Sequence, residues 1–168
     1  DKTRYTFTKK DEKDTTTYPG GFLTGITDKS GNRLVFTCNA YGRPQAVKMK
    51  PAGGTEITCF NIYYNTKGVI KYFLDTVTNE AVLLHYSDTP TGATGNYYRL
   101  LRRIEYAHGT AQTTVANWNT FYSSGTCSGI TSDAVCYYEY NTDKRLTEVR
   151  DGLGKTSVKY TYDASGRV

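Results

Sequence analysis

The sequence has no long hydrophobic run. Its longest aliphatic stretch, AVLL at 81–84, falls far short of the ~20 apolar residues a spanning helix needs, so no membrane segment is expected. No charged-then-apolar leader opens it, and it is expected to stay in water. Histidine occurs only twice, as His85 and His108, in strand-like and turn-like contexts and without the paired spacing of a metal site. A CxxC pair, a glycine-rich phosphate loop and an EF-hand string are all missing, so neither a cofactor nor a metal is expected. Charge of one sign is not gathered into blocks. The 21 Lys and Arg against 16 Asp and Glu leave +5, but they are scattered, which reads as a solvated outer sheet face and not as a nucleic-acid surface. One methionine and four prolines, against 16 tyrosines and 16 glycines, describe a strand-and-turn chain with little helix.

What is present is a short pattern stated more than once. Tyr140-Asn141 followed by Arg145-Leu146 returns, one hairpin later, as Tyr162-Asp163 followed by Arg167-Val168. In VKYTY at 158–162 the large side chains of Val158, Tyr160 and Tyr162 alternate with Lys159 and Thr161, the pattern of a half-buried strand. Asp151-x-x-Gly154 and Asp163-x-x-Gly166 each place a hydrogen-bonding Asp first and a Gly fourth in a four-residue turn. Residues 22–44 overlay this unit: Leu23 and Ile26 on Leu146 and Val149, Asp28 and Gly31 on Asp151 and Gly154, and Asn39, Gly42 and Arg43 on Asp163, Gly166 and Arg167. The middle keeps a worn copy, with Tyr64 before Asn65 and Gly68, and with Asp75 as far before Tyr86 as Asp151 is before Tyr162. Two segments, 87–96 and 122–133, read as inserted loops, and 115–122, with Trp118, Phe121 and Tyr122, as a strand with an aromatic face. A single hairpin buries too little to stand alone. Stacked edge to edge, these units predict an all-β fold of repeated antiparallel β-hairpins in one long, curved sheet, open or flattened like a sandwich, with sticky edges.

The run Tyr-x-Tyr-Asp-x-x-Gly-Arg-Val at 160–168 resembles the YD repeat, also called the Rhs repeat, of secreted bacterial polymorphic toxins, cell-wall-associated proteins and the animal teneurins. The copy at 138–146 departs from it, with Asn141 for the acid and Lys144 at the glycine position, so that turn is expected to differ in shape. The resemblance implies hairpins that spiral into a hollow β shell, enclosing or presenting a variable C-terminal toxin domain. It makes the chain a non-catalytic structural module, secreted or cell-wall-associated, whose partners are the remaining repeats and the toxin domain of the same polypeptide. Residues 1–168 are then a single repeat region cut from a much larger protein, with its best units at 22–44 and 138–168. Tyr64, Tyr86, Tyr140, Tyr160, Tyr162 and the turn residues named above carry this role by shaping the sheet.

Other readings of particular residues are open. Cys127 and Cys136 flank the polar stretch 128–135 and are candidates for a hairpin disulfide, while Cys38 and Cys59, in strand-like sequence, suit buried thiols and a bridge equally. Gly125-Thr126-Cys127-Ser128-Gly129 matches a nucleophile-elbow string, but that motif needs a strand before it and a helix after it, and no helical sequence follows. Tyrosines interleaved with Arg and Lys, as at Arg102, Arg103 and Tyr106, raise the alternative of a module that binds cell-surface glycan or wall polymer.

Overall fold

The computed structural model describes residues 2–7, 21–39, 42–87 and 100–168. Eleven strands lie side by side in chain order, every neighbouring pair antiparallel, in one open, curled sheet. They are β1 (Arg4–Phe7), β2 (Leu23–Thr27), β3 (Arg33–Cys38), β4 (Pro44–Lys50), β5 (Ile57–Tyr64), β6 (Ile70–Asp75), β7 (Glu80–Tyr86), β8 (Leu101–Gly109), β9 (Ile130–Tyr140), β10 (Leu146–Asp151) and β11 (Thr156–Lys159). The predicted meander of hairpins is what forms. β1 and β11 are its two edges, which leaves β11 exposed along its whole length and Val158 42% accessible, more open than the alternation at 158–162 suggests.

One expectation fails outright. Residues predicted as a strand form a helix, α1 (Val115–Ser124), which crosses from β8 to β9. Its start is a capping box: the Thr114 hydroxyl accepts from the Asn117 N–H, and the Asn117 side chain accepts from the Thr114 N–H at 2.9 Å. Its end is Gly125, left-handed at φ 76°, with its N–H on the Phe121 carbonyl. Trp118, Phe121 and Tyr122 stand three and four residues apart, a helical interval that puts all three rings on one side of α1. The stretch 122–133 is accordingly not a loop throughout: it holds the end of α1 and the beginning of β9. Of the other expected insertion, 87–96, all but Ser87 lies outside the described residues; at its base the Ser87 N–H meets the Leu100 carbonyl at 2.9 Å, closing the β7–β8 pair.

The core sits where α1 covers the sheet. Trp118 and Phe121, packed edge to face at 6.2 Å, bury Tyr72, Leu74, Ala81, Leu83, Ala107 and Ile130, and Trp118, Tyr72, Leu83 and Ala107 are wholly inaccessible. Full burial of large apolar side chains is worth about 1.5–3 kcal/mol each, so this cluster is the main apolar anchor of the sheet. The buried indole N–H is satisfied by Asn79 Oδ1 at 3.1 Å.

Candidate functional site

Among the described residues, six turns share one construction. Each starts at Asp28, Asn39, Asn65, Asn141, Asp151 or Asp163, whose N–H donates to the carbonyl four residues on and whose carbonyl accepts from the N–H three residues on, at 2.8–3.2 Å. In all six the first side chain's Oδ1 accepts from the N–H of the fifth residue, at 2.8–3.0 Å. The fourth residue is left-handed, with φ between 64° and 88° at Gly31, Gly42, Gly68, Lys144, Gly154 and Gly166. This is a three-residue hairpin loop, a type I turn closed by a left-handed residue. An amide oxygen serves as well as a carboxylate oxygen, which is why Asn and Asp interchange at the first position. The turn at 141–145 was expected to differ, yet it has the same shape: Lys144 itself adopts φ 64°, and its N–H bonds Asn141 at 3.0 Å. Asp75 also caps its turn, accepting from Val77 and Thr78, but there Asn79 is the left-handed residue. Electrostatics follow the hydrogen bonds. The Asn32 side chain holds the Asp28 carboxyl below the usual range, and the Arg167 N–H does so at Asp163.

The tyrosine just before a turn ties two strands together. Tyr64 donates its hydroxyl to the Pro44 carbonyl at 2.7 Å, Tyr140 to Leu101 at 2.9 Å and Tyr162 to Leu146 at 2.7 Å, each acceptor being the first residue of a neighbouring strand. Over each ring lies an arginine from beside that acceptor: Arg43 is 6.0 Å from the Tyr64 centroid, Arg102 is 5.3 Å from Tyr140, and Arg145 is 5.6 Å from Tyr162. Arg43 and Arg145 reach further. Their guanidiniums occupy the space where a Cβ would project from Gly68 and Gly166. The arginine that closes one turn thus clamps the tyrosine and the glycine of the next turn on the same side.

This geometry assigns most of the sequence-predicted residues. Asp28, Gly31, Asn39, Gly42, Asp151, Gly154, Asp163 and Gly166 shape turns; Arg43 clamps; Tyr64, Tyr140 and Tyr162 make the rungs. Arg167 folds back on its own Asp163 at 2.9 Å. Tyr160 is half-buried, its N–H on the Thr147 carbonyl at 2.8 Å. Tyr86 has another setting, a cavity of about 370 Å³ between α1 and the ends of β5–β7. Sequence reasoning missed the clamping role of Arg145 and Arg102, although Arg145 recurs with the motif; it missed Lys71 altogether, and it placed Tyr122 on a strand face and not beside a cavity.

Beneath α1 lies a charged cluster. Glu105, 4% exposed, sits 3.1 Å from the Arg103 guanidinium and 3.4 Å from His85 Nε2. Arg103 donates to His85 Nε2 at 3.0 Å, which requires a neutral imidazole protonated at Nδ1, and the His85 ring stacks on Tyr122 at 4.7 Å. Burial, helped by Arg103, pushes the His85 pKa down.

The proposed disulfide is not made. All four cysteines are free thiols, and the reason is the helix: Cys127 follows α1 and packs on the core beside Asn117, whereas Cys136 lies in β9 opposite Ile104 and Asp151. The six steps from Ile130 to Cys136 advance roughly 20 Å along an extended strand at ~3.3 Å each, well beyond the ~7 Å Cα separation a disulfide tolerates. Cys127 also has the helix before it, not after it, the reverse of a nucleophile elbow. His108, expected in a turn, is in β8 and bonds Asp133 at 2.8 Å. No group of three metal-ligating side chains occurs among the described residues.

Residues 140–168, the segment holding three of the six turns and the Arg145 clamp complete, match the family model described as RHS Repeat. That segment carries an RHS repeat. No curated protein matches the chain. Its fold is shared with the crystal structure of TcdB2-TccC3-TEV, at a TM-score of 0.57 and 18% identity over 87% of this chain, and with that of TcdB2-TccC3-Cdc42, at 0.55 and 18% over 84%. In each case this chain spans 6% of the length of the matched chain. No helix among its described residues is long and apolar enough to cross a membrane.

Proposed function

We propose that this chain is a section of the wall of a hollow β shell, part of a large secreted bacterial protein that encloses a C-terminal toxin domain. The observation that carries the reading is the recurring clamp, in which Arg43 and Arg145 each hold the tyrosine and glycine of the next turn on the same side; tying neighbouring hairpins in this way suits a continuous curved wall. The RHS repeat at 140–168 and the fold shared with two much longer chains support it. On this reading the repeat residues act by fixing the sheet's shape, the partners are further repeats and the enclosed domain of the same polypeptide, and the location is extracellular.

Limited proteolysis of the full-length gene product tests it. With the native wall, the domain at the C-terminal end of the polypeptide is expected to resist protease while short linkers outside are cut. In a variant carrying both Arg43→Ala and Arg145→Ala, cleavage of that domain is expected to accelerate. A C-terminal domain digested at the same rate in both proteins would contradict enclosure.

A further inference from the structure

The cavity beside α1 holds a cation that the repeat does not require. Lys71 lies with its ammonium 4.9 Å from the Tyr122 ring centroid and 5.5 Å from that of Tyr72, and it donates to Asn119 Oδ1 at 2.6 Å. It has no carboxylate partner among the described residues. An ammonium has three N–H donors, so those not used on Asn119 are left for a ligand. Burial lowers its pKa, which means the fold bears a cost to keep this charge where it is.

The surroundings define the ligand's other face. Tyr64, Tyr86, Tyr122, Ser123 and Lys67 line the cavity with Lys71, and its volume of about 370 Å³ lies in the ~300–1,000 Å³ range of small-molecule sites. Tyr122 is held rigidly, its hydroxyl on the Leu84 carbonyl at 2.9 Å and its ring parallel to His85 within 8°. A lysine can hold a phosphate as a point charge, but no arginine fork lines this cavity to receive the remaining oxygens. An ammonium set among aromatic rings and hydroxyls suits instead a monoanionic carboxylate carried on a ring with one apolar face. The wall of the cavity exists only because α1 interrupts the meander. We infer that this cleft binds an acidic saccharide of the hexuronate class, its carboxylate on Lys71 and its sugar ring against Tyr86.

The test is a titration of the 168-residue chain, followed by calorimetry and by amide chemical shifts, with trigalacturonate, with neutral maltotriose and with inorganic phosphate. Trigalacturonate is expected to saturate with a Kd of about 0.1–1 mM and to bind at least about tenfold more tightly than maltotriose or phosphate. Lys71→Met, which keeps the stem over the tyrosine rings and removes the charge, is expected to weaken trigalacturonate about tenfold or more. Tyr86→Ala is expected to weaken it with the far-ultraviolet spectrum unchanged. No saturation, equal binding of maltotriose, or equal binding of phosphate would each overturn the inference, as would an unchanged affinity in Lys71→Met. If Lys71→Met does not fold, Tyr86→Ala and the three-ligand comparison on the native chain decide. None of these outcomes bears on enclosure of a toxin domain, which the proteolysis measures separately.

Discussion

At the scale of single residues, the repeat works through a short list of atoms: one side-chain oxygen, one left-handed residue, one phenol and one guanidinium. The fourth turn position gives two substitutions with opposite signs. Gly68→Ala puts a Cβ on a backbone at φ 74° and into the Arg43 guanidinium, so it should destabilise by about 1–3 kcal/mol. Lys144→Gly relieves a lysine held at φ 64° and should stabilise by up to about 1 kcal/mol. Urea midpoints of the two variants read both effects, and shifts in the same direction would refute the account of the turn. These turns were legible in the sequence because everything that makes them lies within five residues. The clamps were not. Arg43 and Tyr64, or Arg145 and Tyr162, meet only once the hairpins between them have formed, and nothing local distinguishes these arginines from solvated ones.

At the scale of elements, α1 is the departure from the rhythm and holds the sheet's best-buried side chains. Trp118→Ala removes a ring with no accessible surface and its bond to Asn79, and is expected to cost about 3–5 kcal/mol by thermal or urea unfolding. The helix was read as a strand because aromatic residues favour strands and no acidic residue marks its first turn. Two signals for it were nonetheless present, the 118, 121, 122 interval and the Thr114–Asn117 box, the latter with Asn in the position usually given to Glu or Gln. The same misreading produced the expected disulfide, since a hairpin between Cys127 and Cys136 leaves no room for a helix and a strand. The cluster under α1 gives a pH dependence. His85 is neutral in the fold and its pKa is lowered there, so the unfolded chain binds a proton first. Stability is therefore complete above about pH 6.5 and falls as the pH drops below it, levelling off below the folded-state pKa. Melting temperatures at pH 7.5 and 5.5 should differ more for the native chain than for His85→Gln, and an equal difference would show that His85 takes no part.

At the scale of the whole molecule, a meander in which each strand touches only its sequence neighbours has no single centre except the one α1 creates. Of the buried residues, only Gly25 and Ala46 lie in β1–β4, and β11 has none. Hydrogen exchange should therefore be slowest in β6–β8 and quicken toward β1 and β11, and uniform protection would contradict nearest-neighbour construction. The order of strands was legible where turn signals punctuate the sequence, as at 28–32, 39–43, 65–69, 141–145, 151–155 and 163–167, and not between β8 and β9, where α1 intervenes. The sense of curvature and the placement of the cleft were not, since they depend on how α1 settles on three strands at once. The most direct measurement of the central claim is an electron cryomicroscopy reconstruction of the full-length protein. It should show the eleven strands as one continuous band in the wall of a closed shell, with density for the C-terminal domain inside. Strands that form a separate domain, with the C-terminal domain lying outside it, would contradict the account.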